Sequence, residues 1–404
     1  MKLLQINAAL NTGSTGRITE QIALNARKYG WETFIMHGSR YVNKSNMHSI
    51  QTVTLWGEKK HALKSMLYDA HGLGSSSETR KIISEIERIQ PDIIHLHNIH
   101  GYYINYKILF EYLQTIETPL VWTLHDCWTM TGHCTHFDAV GCDKWMTCCF
   151  DCPQLSAYPK SLFLDRSRFN YSLKKQLFTS VENMTIVPVS DWLSNIVRRS
   201  YLGKYPIHTI KNGVDISLFK PVPYQHLSRK LHCEGKKILL GVATSWNNKK
   251  GLWDYYELAN RLSSEIKIIL VGLDEKQLEE LPNNIIGVKR TESIHELIEY
   301  YSMADIVLNL SYEETFGLTT IEGFACGTPC LVYNKTASPE LVTRDTGCIV
   351  EAGNIDCLQK TINEMLLKGK ETYTAKCRQH AIAHYNIEDR YSEYINLYQS
   401  LLSK

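Results

Sequence analysis

Two carboxylates bracket a glycine turn in the stretch SYEETFGLTTIEGFACGTPC, residues 311–330: Glu314 and Glu322, with seven residues between them. Carboxylates accept hydrogen bonds from vicinal hydroxyls, so each can grip a polyol. Gly317 between them lets a backbone approach a ligand closely, and the amides that open the following helix are unpaired donors suited to phosphate. Glu322, in the first helical turn, would reach past a phosphate to a ribose. Glu314, on the strand side, would reach a second polyol. Lys249 and Lys250 fall in the loop of GVATSWNNKKGLWD, between a strand signal and a helix signal. A lysine there is a point charge for phosphate. A glutamate pair alone is more often a helix cap and a solvated acid. Two loops at one sheet edge, both suited to a diphosphate, favour binding.

These groups need strands and helices to hold them, and the sequence supplies both in alternation. KLLQIN reads as a strand, followed by a glycine-bearing loop over 11–16. In the helix RITEQIALNARKYG, Ile18, Ile22, Ala23 and Ala26 recur at helical spacing and Gly30 ends it. WETFIMHG, DIIHLHN and PLVWTLHD read as strands, with helices in ETRKIISEIERIQ and YKILFEYLQTI between them. Residues 127–153 break the rhythm as an irregular, Cys-rich insertion, after which MTIVPVS and DWLSNIVRRSYL restore it. ISLFKPVPYQHLSRKLHCEGK, rich in proline and polar residues, reads as a linker. The pattern then restarts with strands in KKILLGVA, IKIILVG, DIVLNLS, PCLVYN and GCIV. Helices lie in LWDYYELANRLS, IHELIEYYSMA, TTIEGFACG and IDCLQKTINEMLL. This predicts an α/β fold of two doubly wound domains with parallel sheets. DIVLNLS ends at the acids, and open α/β sheets bind ligands at the carboxyl ends of their strands. In the last helix, Ile387, Tyr391, Tyr394, Ile395, Tyr398, Leu401 and Leu402 share one face, with Asn386 as a cap. It packs on its own domain or ties the two domains together.

Composition bounds the alternatives. A chain of 404 residues suits two domains. Its 44% hydrophobic and 21% charged residues are ordinary for a globular protein, and a formal net charge of +2 gives no basic field for nucleic acid. No apolar run reaches the ~18 residues of a membrane span. Gln5 and Asn7 interrupt the apolar N-terminus, so a strand is expected there rather than a secretory signal. The expected location is cytoplasmic, with peripheral contact at the inner membrane face left open. Twelve cysteines then need a role other than disulfides. Cys149-x2-Cys152, with Cys134, Cys142 and Cys148 upstream, reads as structural zinc, or as ordinary buried thiols or disulfides. His95, His97 and His100 form a His-x-His pair and a third histidine, but no carboxylate or cysteine nearby in the sequence completes a metal set, and they read as loop and acceptor-cleft residues. His125 in TLHD stands at a strand end, either as a site residue or as a buried histidine. The first strand is followed only by Gly13-x-x-Gly16, not the Gly-x-Gly-x-x-Gly of a dinucleotide-dependent oxidoreductase.

With Glu314-x7-Glu322 in EETFGLTTIEGFACGTP, KKGL, and NGVD (Asn212 to Asp215), the chain resembles the retaining glycosyltransferases of family 4 over nearly its whole length. It is similar within them to the bacterial capsule and exopolysaccharide, colanic-acid-type, enzymes. The resemblance implies the GT-B fold, two Rossmann-like domains facing across a cleft. Residues 1–218 would be the acceptor-side domain, 219–385 the donor-binding domain, and 386–404 a helix crossing back. It implies a nucleoside-diphosphate sugar as donor, with Glu322 at the ribose and Glu314 at the donor sugar. Phe316, Gly317, Leu318 and Thr319 would supply loop amides, and Lys250, with Lys249, would neutralise the leaving diphosphate. Gly13 and Gly16 would face the donor phosphates, and His125 the sugar. The catalytic set implied is His125, Glu314 and Lys250. An arginine usual before the lysine is missing; Ala243, Thr244, Ser245 and Trp246 stand there. No Asp-x-Asp pair occurs, so lysine, amides and a helix dipole would carry the leaving-group charge without a metal. Retention would follow from same-face attack, the leaving phosphate taking the acceptor proton. The relatives carry glycine where Cys148 stands, which leaves Cys134, Cys142, Cys149 and Cys152 as the zinc ligands implied. The expected function is transfer of a hexose-type sugar to a saccharide or lipid-linked saccharide in surface polysaccharide biosynthesis, capsule, exopolysaccharide or lipopolysaccharide. A nucleotide-sugar epimerase and a non-catalytic nucleotide-sugar binder are the alternatives.

Overall fold

The computed structural model describes residues 1–403. The chain divides into two compact units, Met1–Lys211 with Tyr391–Lys404, and Asn212–Arg390. In the first unit the elements run β1 (Lys2–Leu10), α1 (Gly13–Lys28), β2 (Glu32–Val42), β3 (His48–Gln51), α2 (Leu55–Tyr68), α3 (Ser76–Ile89), β4 (Ile93–Leu96), α4 (Tyr106–Leu113), β5 (Leu120–Leu124), α5 (Ser167–Phe178), β6 (Met184–Pro188) and α6 (Asp191–Arg199). The second unit has α7 (Gln225–Lys230), β7 (Lys237–Val242), α8 (Leu252–Arg261), β8 (Ile266–Val271), α9 (Glu275–Glu279), β9 (Ile285–Val288), α10 (Ile294–Met303), β10 (Ile306–Asn309), α11 (Leu318–Ala325), β11 (Cys330–Tyr333), β12 (Gly347–Val350), α12 (Ile355–Lys368) and α13 (Glu371–Tyr385). The last helix, α14 (Ile387–Leu402), begins in the second unit, and from Tyr391 onward it belongs to the first.

Each unit holds one six-stranded sheet, ordered β3-β2-β1-β4-β5-β6 and β9-β8-β7-β10-β11-β12, with all strand pairs parallel. The two orders are the same doubly wound arrangement, reversing direction between the first and fourth strands. Parallel sheets are covered on both faces, and their strands read as unbroken apolar runs. β5 (LVWTL) and β6 (MTIVP) are buried at every residue. In the second unit Leu239, Tyr255, Leu258, Ile268, Leu270 and Leu308 pack into one core between sheet and helices.

Side chains fix where helices start. Asn105 accepts from the amides of Lys107 and Ile108 at 3.1 and 3.3 Å. Ser190 accepts from Leu193 N at 3.1 Å, and Ser293 from Glu296 N at 3.2 Å. Each satisfies a donor the first turn leaves without a partner. The α/β alternation is borne out, with corrections to two boundaries and several added elements. The expected 11–16 loop closes after Thr12, because Gly13 and Gly16 already lie in the first turn of α1. The expected linker contains α7, whose Leu227 is buried. The helices α2, α9 and α13 and the strands β3 and β9 are elements that the sequence pattern does not announce. Insertion 127–153 is irregular as expected, its only regular pieces being three single 3-10 turns. Among the described residues no helix is long and apolar enough to cross a membrane.

Candidate active site

In the second unit the sheet reverses its winding between β7 and β10, which lie side by side. Ligands of open α/β sheets sit at such a reversal, beyond the strand ends. The loop after β7 carries Lys249 and Lys250, and the loop after β10 carries Glu313 and Glu314. A backbone hydrogen bond from Tyr312 N to Lys249 O, 2.8 Å, ties the two loops together. Lys250 Nζ stands 2.7 Å from Glu314 Oε2, and Lys249 Nζ 2.6 Å from Glu313 Oε2. Glu314 N donates to Thr336 Oγ1 at 2.9 Å, which fixes the backbone that presents its carboxylate.

Glycine makes both loops. Gly251 ends the lysine loop at φ +73°, and a Cβ there would lie 2.3 Å from Leu310 O. The KKGL spacing therefore lets the lysine loop press against the end of β10. Gly317, at φ +104°, caps α11, and a Cβ there would meet Leu341 Cδ1 at 3.0 Å. Leu318 and Thr319 are half-buried in the opening turn of α11, and Phe316 is buried with its ring 6.1 Å from that of Tyr385. Glu322 lies one turn further on, half-buried, and its Oε2 accepts from Tyr301 Oη at 2.6 Å. Burial, with Glu322 next to it, pushes the Tyr301 phenol well above its ordinary value, so it stays a donor. Thus the structure brings Lys249, Lys250, Glu314, Phe316, Gly317, Leu318, Thr319 and Glu322 onto two adjoining loops and one helix turn of the second unit.

Two features escaped the sequence. Glu313 is a buried partner for Lys249, its side chain 1% exposed while the lysine is 37% exposed. A run of two glutamates gives no hint of which one turns inward. Tyr301, which orients Glu322, comes from α10, and only tertiary packing joins them. Where the family arginine is missing, Trp246 is buried and donates Nε1 to Val271 O at 2.9 Å. That position serves the core, and Thr244 and Ser245 beside it are exposed.

In the first unit the reversal lies between β1 and β4. Gly13, at φ +62°, opens α1, and a Cβ there would have nothing within 4 Å, whereas a Cβ on Gly16 would meet Ala9 Cβ and Asn11 N at 3.2 Å. His125 follows β5. Its Nε2 is 3.1 Å from His97 Nδ1, and His97 Nε2 is 3.0 Å from Gln5 Oε1. Burial pushes His97 well below the ordinary histidine range and His125 down to about 4, so both are neutral at pH 7. His95 bonds Thr123 Oγ1 at 2.8 Å and Tyr398 Oη at 2.7 Å, a place in the core rather than at an open cleft. His100 Nε2 lies 2.8 Å from Asp126 Oδ2. Burial alone would raise Asp126, but the His100 charge and hydrogen bond outweigh it and hold the carboxyl at about 2.

Cys134, Cys142, Cys149 and Cys152 all line one cavity of about 20 Å³, together with His133. Cys148 is not among its walls, and its thiol turns to Cys149 O at 3.5 Å. None of the twelve cysteines is in a disulfide. A hydrogen bond from Cys134 pulls the Cys152 thiol down, and burial pushes Cys149 up to about 12. As the side chains stand, no three His, Cys, Asp or Glu among the described residues form a metal-holding group.

Residues 225–383 match the family Glycosyl transferases group 1, and residues 55–218 match Glycosyltransferase Family 4. A protein of Escherichia coli named as a colanic acid biosynthesis glycosyl transferase is 22% identical over 99% of this chain and 100% of its own length. The N-acetyl-alpha-D-glucosaminyl L-malate synthase of Bacillus anthracis is 24% identical over 57% of this chain and 64% of its own. Among solved structures, the sucrose-phosphate synthase of Thermosynechococcus elongatus superposes with a TM-score of 0.75 at 16% identity, covering 100% of this chain and 99% of its own. Anabaena HepE in complex with UDP-glucose gives 0.67 at 15% identity, covering 99% and 100%. At these identities the structural likeness speaks for the fold, that of the GT-B enzymes.

Proposed function

The chain is a glycosyltransferase, built of a family 4 domain and a group 1 domain, and from that premise we propose which reaction it runs. It moves a hexose-type sugar from a nucleoside-diphosphate sugar to a saccharide or lipid-linked saccharide acceptor, with retention and without a catalytic metal, in surface polysaccharide assembly. The observation that carries this reading is the pair of lysine–glutamate bridges at the sheet reversal of the second unit, beside the open first turn of α11. Two cations, two acids and the first-turn amides of α11 lie there on two adjoining loops and one helix turn, the kinds of group that a diphosphate flanked by polyols calls for.

Glu322 accepts from the ribose hydroxyls, its carboxylate steadied by Tyr301. The amides of Leu318 and Thr319 and the positive end of α11 meet the diphosphate. Lys250 exchanges part of its bridge to Glu314 for the phosphate and takes up the charge that grows as the sugar carbon becomes oxocarbenium-like. Glu314 then turns to the donor sugar. His125, neutral at pH 7, serves as a hydrogen-bonding wall of the sugar site and not as an acid. The leaving phosphate takes the acceptor proton. The Escherichia coli relative supports a polysaccharide setting, and the Anabaena complex puts UDP-glucose first among donors to try.

A thermal-shift screen against nucleoside-diphosphate sugars tests the donor site, since a ligand that binds the native state raises the melting point. Glu322→Ala should lose the shift; a variant that keeps it sinks the ribose assignment. A labelled donor then separates the rivals: transfer requires an acceptor, whereas an epimerase converts the donor alone and a non-catalytic binder leaves it intact.

We also propose that Cys134, Cys142, Cys149 and Cys152 hold a structural zinc. Their convergence on the walls of one cavity supports it, since four thiolates are a structural Zn²⁺ donor set. Purified chain should carry about one zinc, and Cys149→Ser should lose it. A metal-free chain that melts as a zinc-supplemented one does would dismiss the site.

A further inference from the structure

The outward surface of the first unit carries an apolar patch that the active-site chemistry does not use. On α2, Leu55, Trp56 and Leu63 are 56%, 71% and 56% exposed. In the loop before α5, Leu162, Phe163 and Leu164 are 45%, 76% and 44% exposed. The two segments adjoin, for Leu162 N donates to Met66 O at 2.8 Å near the end of α2. Three consecutive bare apolar side chains next to the end of a helix that itself carries a bare tryptophan are not what a surface facing only water carries.

Charge says what covers this patch. Residues 54–68 and 158–169 hold six Lys and Arg against two acids, Glu58 and Asp165, an excess larger than the formal +2 of the whole chain. Glu58 is withdrawn from this face, whereas Asp165 is exposed, which leaves one surface acid against six bases. Glu58 is buried and accepts from Ser39 N at 2.6 Å, and Asp165 accepts from Cys152 N at 2.6 Å and Ser167 N at 2.8 Å. The bases are interleaved with the apolar groups: Lys59 lies 4.9 Å over the Trp56 ring, and Arg166 4.4 Å over that of Phe169. Lys59, Lys60 and Lys64 share the exposed side of α2 with Leu55, Trp56 and Leu63. An apolar face rimmed by cations fits the headgroup layer of an anionic bilayer, where Trp, Phe and Leu enter the acyl boundary and Lys and Arg stay at the phosphates. A protein partner for this face would have to bring matching acids, whereas an anionic bilayer supplies the complementary charge and the apolar layer together.

We propose that α2 and the 162–164 loop form a monotopic docking surface for anionic phospholipid. It would hold the first unit against a membrane, where a lipid-linked acceptor resides. The proposal concerns where the enzyme works and stands apart from the donor assignment.

The test is sedimentation of the full chain with vesicles of phosphatidylcholine alone or with about a third phosphatidylglycerol. Wild type should bind the anionic vesicles, at least tenfold more weakly at high salt. Trp56→Ser/Phe163→Ser and Lys59→Glu/Lys60→Glu/Lys64→Glu should each lose at least tenfold in partitioning while melting as wild type does, because every changed side chain is exposed. Trp253→Ser, which removes a 59% exposed tryptophan from the second unit, should change nothing. Failure of wild type to bind, equal binding by the variants, or a dimer in light scattering that Trp56→Ser/Phe163→Ser dissolves would each overturn the proposal; the last would assign the face to a second copy. Donor thermal shifts are unaffected by any of these outcomes, so the two readings fail separately.

Discussion

Gly251→Ala is the sharpest probe of how the lysine loop is built. Two costs are expected. At φ +73° an alanine sits in the left-handed region, at roughly 1 kcal/mol. Its Cβ would also lie 2.3 Å from Leu310 O and 2.9 Å from Leu310 Cβ, a contact that only backbone movement relieves, at about 1–3 kcal/mol more. Gly235 provides the control: it lies in the same unit at φ +72° with nothing within 4 Å of a Cβ. Gly235→Ala should therefore show the conformational cost alone. At roughly 2–4 °C per kcal/mol for a unit of this size, Gly251→Ala should melt about 2–12 °C below Gly235→Ala. The movement also displaces Lys250 from Glu314, so donor binding should weaken in Gly251→Ala and not in Gly235→Ala. Differential scanning fluorimetry with and without nucleotide sugar reads both quantities. Equal melting points for the two variants would refute the packing argument.

Other perturbations reach the same site and the core. Lys250→Met should leave the ligand-free stability within about 1 kcal/mol of wild type, since the bridge to Glu314 is partly exposed, yet cut the transfer rate about 10²–10³-fold; an unchanged rate would remove Lys250 from the leaving-group site. Tyr301→Phe takes away the hydrogen bond to Glu322 and should weaken nucleotide binding by about 1.5–3 kcal/mol, read by calorimetry. His61 and His125 are both held down to about 4 by burial, from an ordinary 6.5. As pH falls below 6.5 the unfolded chain takes up protons that the folded chain refuses, so the stability these groups confer is complete above that value and is lost down towards 4. Near pH 5 this is about 2 kcal/mol per histidine, and the urea midpoint should fall accordingly from pH ~7.5 to ~5; a level midpoint would contradict their burial.

Most of the sheet was legible because parallel strands buried on two faces write themselves as apolar runs, as in KILLGV and LVWTL. The edges were less so. β3, HSIQ, is an edge strand with three of four residues exposed, and a single apolar residue, Ile50, is too little to mark it. α2 hid because its outward side carries Leu55, Trp56 and Leu63, which blurs the contrast between faces that a helix reading depends on. α13, ETYTAKCRQHAIAHY, buries Tyr373, Cys377, Ala381 and Tyr385 at four-residue steps, but exposed Ile382 beside them masks the stripe. At the site, residue types revealed Lys250, Glu314 and Glu322, whereas Glu313 and Tyr301 act through burial and packing, which one sequence does not display.

The C-terminal helix has a bearing on how the chain is made. Tyr398 Oη reaches His95 Nδ1 across 303 residues of sequence, and Tyr394 Oη reaches Thr123 Oγ1 across 271. Both histidine and threonine belong to the first sheet, so that sheet leaves the ribosome without the tyrosines that complete its polar interior. At roughly 5–20 residues per second, the wait is roughly 15–60 s. Until those two tyrosines have been made, the earliest-made half keeps an open seam for chaperones to guard, and a stop ahead of Tyr394 leaves that seam permanently unsealed.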